Sequence, residues 1–533
     1  MEDNLMKLYD ISFPTFSTAE RAASLYRQGN YRLENGIVKI SPKNSLDLGT
    51  YFNAFSIKKW MTLTYLNRLG ISLEFLGEFS VEIYGFKRRF EIKYDREEDE
   101  VKETYGKGKQ AVMQNFEEEI FFAADATNGF AHEFNFDELA TFAEKVDMLG
   151  MRLTAKNETG TFLGGAYFGE FSKKREVKIG ITICTFKREK YLLPNLEKLK
   201  ILTDSNPNYS VMVIDNGRTI EEKNSASLQI MHNRNFGGSG GFTRGLMEQV
   251  SQNKNTHAIL MDDDIVIELA ALDRLYSFLV GLKEDYHENF FAGAMLRLAA
   301  PILQGENTSK WNGRGVTLFG NNFDLSYKYF LCKNEKNPSD ANTYAGWWFC
   351  CMPLVTVKKI GYPLPNFIKG DDMEYGIRQG KDFLTMNGVG VWHEDFEQKF
   401  NPVMKYFHYR NMYIMQHFGR PASKFQFLRE FLRDVKACVR FMDGHSMRMM
   451  ERALRDLEGG YEGITSVPAD EKFQQMRNYP LTKNAYVLLF VSLYLGFKHF
   501  LNYDEHDAKL KNFVKEKLSD QKFWRQFLGL TDK

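Results

Sequence analysis

Two apolar, strand-like runs, "VKIGITICTF" and "YSVMVIDNG", flank the helically spaced "REKYLLPNLEKLKIL", and a third run, "HAILMDDD", follows further on. Strand, helix, strand with β-rich apolar runs predicts a parallel α/β unit, whose ligands bind at the carboxyl ends of the strands. The third run ends on Asp262, Asp263 and Asp264. Adjacent carboxylates repel one another, so such a cluster either turns in water or holds a cation. Side chains alternate across a strand, which puts Asp262 and Asp264 on one side and Asp263 on the other. Two carboxylates can then meet one ion, and oxygen ligands suit Mg2+ or Mn2+. Taken alone, the triplet is equally an N-cap cluster for the helical "IVIELAALDRLYSFL".

A chain of 533 residues is too long for one core and predicts about three units. From about Leu33 to Phe171 the residues alternate in short segments such as "SLEFLGEFSVEIYGFKRRFEIKY", the pattern of half-buried antiparallel strands. We expect an N-terminal β-sandwich over residues 1–172, with "YDREEDEVKETYGKGK" as a solvated hairpin loop and "SKKREVK" as a linker. The α/β domain then covers 173–410. From Asn411, segments such as "FQFLREFLRDVKACVRFM" repeat apolar residues every three or four positions and predict a helical domain over 411–533.

With 70 Lys plus Arg against 69 Asp plus Glu, no global field recruits nucleic acid. The 43% hydrophobic content excludes a disordered chain. Five scattered cysteines without CxxC spacing fit a reducing compartment. The acidic start "MEDNLMKLYD" shows no secretory signal, so the cytoplasm is expected. The longest apolar run, "AYVLLFVSLYLGF", has 13 residues, short of the ~20 of a membrane span. It predicts a buried or subunit-interface helix, with docking on a membrane surface as the lesser role.

Further stretches carry chemistry. "NRNFGGSGGFTRG" lets backbone approach a nucleotide or sugar without Cβ interference, lacks the GK[ST] ending of a Walker loop, and on its own is also a flexible turn. "PNFIKGDDMEYGIR" sets Asp371 and Asp372 ahead of a short helical pattern, where a structural cap needs only one of them. The other is a candidate general base. "GVWHEDF" ends an apolar segment on His393, which can complete a Mn2+ site or sit in the core beside Trp392.

Together with "TFKR", "AGWWFCCMP" and "YFHYRN", these stretches resemble glycosyltransferase family 2 enzymes of GT-A fold, and among them the galactofuranosyltransferases that extend surface galactan. The resemblance implies a β-sandwich, a GT-A domain and a helical C-terminal region. It also implies metal-dependent inverting transfer of galactofuranose from UDP-galactofuranose to a lipid-linked glycan or glycolipid, and homo-oligomeric assembly. Carried over, Asp262, Asp264 and His393 hold Mn2+ or Mg2+, and Asp372 is the base. Thr185, Arg188, Asp215, Asn235 and Asp263 meet the donor; Glu306, Trp347, Trp348, Asp371 and His408 meet the sugar or acceptor. Gly370 departs from the family, which usually has a bulky aromatic before the paired aspartates. A transferase for another sugar (rhamnose, glucose or galactopyranose), a metal-dependent nucleotidyltransferase or phosphohydrolase, and a non-catalytic glycan binder are the alternatives; only the first uses the Trp pair, the metal carboxylates and Asp372 together.

Overall fold

The alternation at the N-terminus forms two antiparallel sheets. In Leu66–Leu76 the side chains of Leu69, Ile71, Leu73 and Phe75 are buried at every second position, as a strand with one inward face requires. This strand pairs with Gly160–Phe171 and Phe130–Phe134 in one sheet, while Glu78–Lys93 pairs with Ala111–Thr127 and Met148–Ala155 in the other. Inward residues of both sheets join one apolar cluster. The computed structural model describes residues 5–93, 111–394, 402–419, 422–480 and 484–530, so the hairpin loop expected at 94–109 lies outside the described residues. Strands begin earlier than expected, at Met6–Asp10, and the helices Ile57–Leu63 and Phe136–Lys145 interrupt the β pattern. The second opens on a capping box, in which Asn135 Oδ1 accepts from Glu138 N and the Glu138 carboxylate accepts from Asn135 N.

The same apolar cluster continues past residue 172 into Ile179, Ile181, Ile183 and Phe278. Trp60 meets Phe278 edge-on at 5.3 Å, so the N-terminal sheets and the α/β layer share a core. The central sheet runs in the order Leu228–His232, Tyr209–Asp215, Ile179–Thr185, His257–Asp262, Cys350–Pro353, Phe291–Ala292. Its first four strands are parallel, in a register that pairs Thr185 with Asp215 and Cys184 with Asp262. The carboxyl ends of three strands therefore meet along one edge. The helices Glu189–Ser205 and Gly237–Gln252 connect these strands.

A small second sheet explains how distant motifs meet. Val266–Ile267, just beyond the aspartate triplet, pairs antiparallel with Gly390–His393, which also runs parallel to Ala294–Arg297; that strand in turn pairs with Gln304–Glu306. His393 and Glu306 both end strands of this sheet.

The C-terminal region is helical, as its periodicity predicts. Pro402–Met415 runs across the expected boundary at 410/411, so no loop separates the units there. Tyr486–Leu501 buries Leu488, Ser492, Leu495, Gly496 and His499, yet exposes Val487, Phe490, Tyr494 and Leu501 on its other face. Among the described residues no helix is long and apolar enough to cross a membrane.

Candidate active site

The aspartate triplet ends a sheet strand and splits as alternation predicts. Asp264 Oδ1 lies 3.2 Å from His393 Nε2, and Asp262 Oδ2 lies 3.8 Å from the same nitrogen. Asp263 turns the other way, accepting a 2.6 Å hydrogen bond from Thr185 Oγ1. Asn195 Nδ2 donates to the backbone carbonyls of Asp263 (3.2 Å) and Ile265 (2.9 Å), which fixes the turn from within the first crossover helix. Arg188 pairs with the second oxygen of Asp264 and reaches Asp263 Oδ1 at 3.5 Å.

Asp262, Asp264 and His393 each offer one ligand atom, all within 4.8 Å of one another. Burial raises the Asp262 carboxyl to about 7; His393 opposes this, while Asp264, Asp263 and Asp371 push further upward. Burial also works to raise Asp264, but His393 and Arg188 outweigh it and hold that carboxyl near 2. Two carboxylates and an imidazole facing one point, under mutual repulsion, fit a divalent cation of the Mn2+ or Mg2+ type.

Asp262 also walls a cavity of about 680 Å³ together with Asp371, Asp372, Trp347, Trp348 and His408. Residues far apart in the chain thus converge on one space. Asp371 and Asp372 open the helix Asp371–Arg378, and Asp372 Oδ1 accepts from Met373 N at 2.8 Å. Burial raises both carboxyls, and each is pushed further by neighbouring acids: Asp371 by Asp372, and Asp372 by Glu306 and Asp262. Glu306 is buried, accepts from Ser309 Oγ, and is raised by burial to about 7. Burial, with Lys369 and Lys405 nearby, lowers His408 to about 4, leaving it neutral at pH 7. Trp348 donates its Nε1–H to Gly293 O at 3.0 Å, and Trp347 meets Phe242 edge-on at 5.3 Å. The pair is therefore packed behind and open to the cavity in front.

The chain just before the acids is unusual. Phe367, Lys369 and Gly370 have φ values of 72°, 65° and 81°, all left-handed. At 370 glycine takes that conformation without the Cβ penalty, which accounts for its presence there. Asn411 holds the segment, its Nδ2 donating to the carbonyls of Asn366 (3.2 Å), Ile368 (2.7 Å) and Lys369 (2.8 Å). Asn411 belongs to the stretch "YFHYRN", whose sequence does not reveal this bridging role. Trp311 and Arg314, which also line the cavity, were missed because nothing local marks them.

Asp215, Asn235 and the glycine-rich stretch also have local structural roles. Asp215 is fully buried, and its oxygens accept from the backbone N–H groups of Gly217 (2.8 Å), Thr219 (2.7 Å) and Ile220 (2.8 Å), so it shapes the loop beyond its strand. Asn235 Oδ1 accepts from Gly237 N at 3.1 Å, starting the glycine-rich helix. Within that helix, close approach mostly serves packing: an added Cβ would lie 2.2 Å from Cys184 Sγ at Gly241 and 2.2 Å from Thr182 Cγ2 at Gly245. Only Gly238 of this helix's glycines lines the cavity. A larger groove of about 820 Å³, walled by Leu193, Leu196, Val211 and Ile230, contains none of Asp262, Asp264, His393, Asp371 and Asp372.

Residues 177–407 match the family described as Glycosyltransferase like family 2. The chain is 23% identical over 458 residues to the galactofuranosyltransferase GlfT2 of Mycolicibacterium smegmatis, covering 81% of this chain and 66% of the relative. It is 24% identical over 471 residues to the GlfT2 of Mycobacterium tuberculosis, covering 81% and 68%. The chain thus spans about two thirds of the length of these relatives. Staphylococcus aureus TarS 1-349, solved with UDP-GlcNAc, overlaps at 12% identity and TM-score 0.33 over 62% of this chain and 92% of that one, a match too loose to specify the fold.

Proposed function

We propose that the glycosyltransferase family 2 domain at residues 177–407 transfers galactofuranose, with inversion, from UDP-galactofuranose to a hydroxyl of a growing, lipid-linked surface glycan. The observation that carries this reading is that Asp372 and the metal-type ligand Asp262 wall one cavity that also has the two tryptophans in its lining. The names of the two relatives support the sugar.

Asp372 Oδ1 is engaged by the Met373 amide, which leaves Oδ2 to take the proton from an acceptor hydroxyl. As that oxygen bonds to the anomeric carbon from one face, the bond to the UDP oxygen breaks on the other, and UDP departs with the electron pair. Asp262, Asp264 and His393 would hold Mn2+ or Mg2+, which when bound neutralises charge on the diphosphate. Thr185, Arg188, Asn235 and Asp263 serve the nucleotide side of the donor. Trp347 and Trp348 offer faces for sugar C–H groups, and Asp371, Glu306 and His408 orient hydroxyls. Asp215 acts one step removed, through the loop it folds. The exposed apolar face of Tyr486–Leu501 supports contact with the membrane that carries the acceptor.

Incubating the protein with Mn2+, a glycan acceptor and a panel of UDP-sugars tests this. UDP-galactofuranose should be consumed fastest with a lengthened glycan as product. Preferential use of UDP-glucose or UDP-galactopyranose would establish the same chemistry with another donor, and phosphate exchange without glycan extension would refute the reading.

A further inference from the structure

Far from the cleft, three C-terminal helix ends bring together a second set of ligand-type side chains. Glu458 ends the helix Gly444–Glu458, His499 sits in the last turn of Tyr486–Leu501, and His506 lies in the first turn of Tyr503–Lys517. Each offers one ligand atom, and these atoms lie within 4.8 Å of one another.

Their hydrogen bonding is incomplete in a specific way. His499 is 1% exposed, and neither of its ring nitrogens has a hydrogen-bond partner. His506 Nε2 and Glu458 Oε1 are also buried without hydrogen-bond partners and face each other at 3.8 Å. Protein interiors rarely keep one such atom unmatched, because the lost hydration is not replaced. Several around a single point describe a donor set waiting for an acceptor of lone pairs. Glu458 is oriented for this, since Lys498 Nζ holds its Oε2 at 2.6 Å and leaves Oε1 on the imidazole side. The two imidazoles stack with centroids 4.6 Å apart and planes within 10°. Burial, with His506 and His417 beside it, keeps His499 well below its ordinary range, and the neutral ring is the form that binds metals. His417, stacked on Tyr503 at 4.4 Å and bonded through Nδ1 to Asp507 at 3.2 Å, packs beside the His499 ring at 6.1 Å.

We propose that Glu458, His499 and His506 form a second cation site, suited to Zn2+, that pins these three helix ends together. Two imidazoles and one carboxylate are borderline-soft donors that zinc accepts in tetrahedral geometry with water as the fourth ligand. The cleft set of two carboxylates and one imidazole is harder and richer in oxygen. The two sites should therefore sort different metals, and the helical site would act on stability and not on turnover.

Zinc titration of the purified full chain in Mn2+ buffer, followed by dialysis and elemental analysis, tests this. Wild type and Asp264→Asn should both retain zinc at one ion per chain, while Glu458→Gln and His506→Gln should lose it. Zinc should raise the unfolding midpoint of the wild type and leave that of Glu458→Gln unmoved; circular dichroism checks that each variant is folded. If one variant fails to fold, the other gives the same readout. No retained zinc in the wild type, equal retention in both helical variants, or loss confined to Asp264→Asn would each overturn the proposal.

Discussion

Replacing Asn411 with alanine should slow transfer while leaving the donor bound. The Asn411 side chain is fully buried and its amide bridges three carbonyls of the left-handed segment that leads into Asp371 and Asp372. An amide has two hydrogens, so about two of the bonds act at full strength, each worth ~1 kcal/mol net. The cavity left by truncation adds roughly 1 kcal/mol more. Left-handed non-glycine residues cost ~1–2 kcal/mol each, so the released segment has a ready route to a relaxed conformation. A total of about 3 kcal/mol against the competent arrangement corresponds to a loss of ~10²-fold in kcat. Donor affinity should hold, because Asp262, Asp264 and His393 lie on other elements. Initial rates of glycan extension, alongside calorimetric binding of UDP and a thermal melt, separate these effects. Wild-type kcat in a folded Asn411→Ala variant would show that this amide does not hold the segment for transfer.

Gly237→Ala combines a φ of +69° with a Cβ 2.0 Å from Phe367 O, and should destabilise the fold by ~1–3 kcal/mol, read as a lower denaturant midpoint; an unchanged midpoint would contradict the packing account. Glu306 has a carboxyl raised from its ordinary 4.5 to about 7, so between those values the folded state binds more protons than the unfolded one and stability falls as pH rises. Glu306→Gln should flatten that fall across pH 4.5–7, and an unaltered pH profile of stability would show that Glu306 ionises normally. EDTA should abolish transfer and added Mn2+ or Mg2+ restore it, whereas activity indifferent to chelation would remove the cation from the cleft.

What could be read from sequence was what local pattern encodes. The three sheet strands, the triplet at the end of one of them and the C-terminal helical periodicity all follow from residues within a turn or two of each other. The Asn135–Glu138 capping box was equally local and available to reading, since its polar residue and glutamate stand three apart. His393 was legible as a candidate ligand but not its partner: its approach to Asp264 depends on the pairing of Val266 with Trp392, which neither segment announces. Asp215 entered the donor set through the resemblance; its sequence neighbourhood did not announce that three backbone amides of the following loop also claim it. The glycine-rich run has the same double use. Glycines four residues apart let a helix lie close on a strand as readily as they let backbone approach a ligand. Asn411 illustrates the remaining gap, since one buried amide serves a segment more than forty residues earlier in the chain.

In the proposed reaction, one cavity takes a cation-bound nucleotide sugar against Asp262 and the acceptor hydroxyl against Asp372. Asp372→Asn, assayed for Mn2+-dependent UDP binding and for glycan extension on the same preparation, tests it most directly. Donor binding should match that of the wild type while extension falls ~10²- to 10⁴-fold, the contribution of a general base. Extension at the wild-type rate, or loss of binding and extension together, would contradict it.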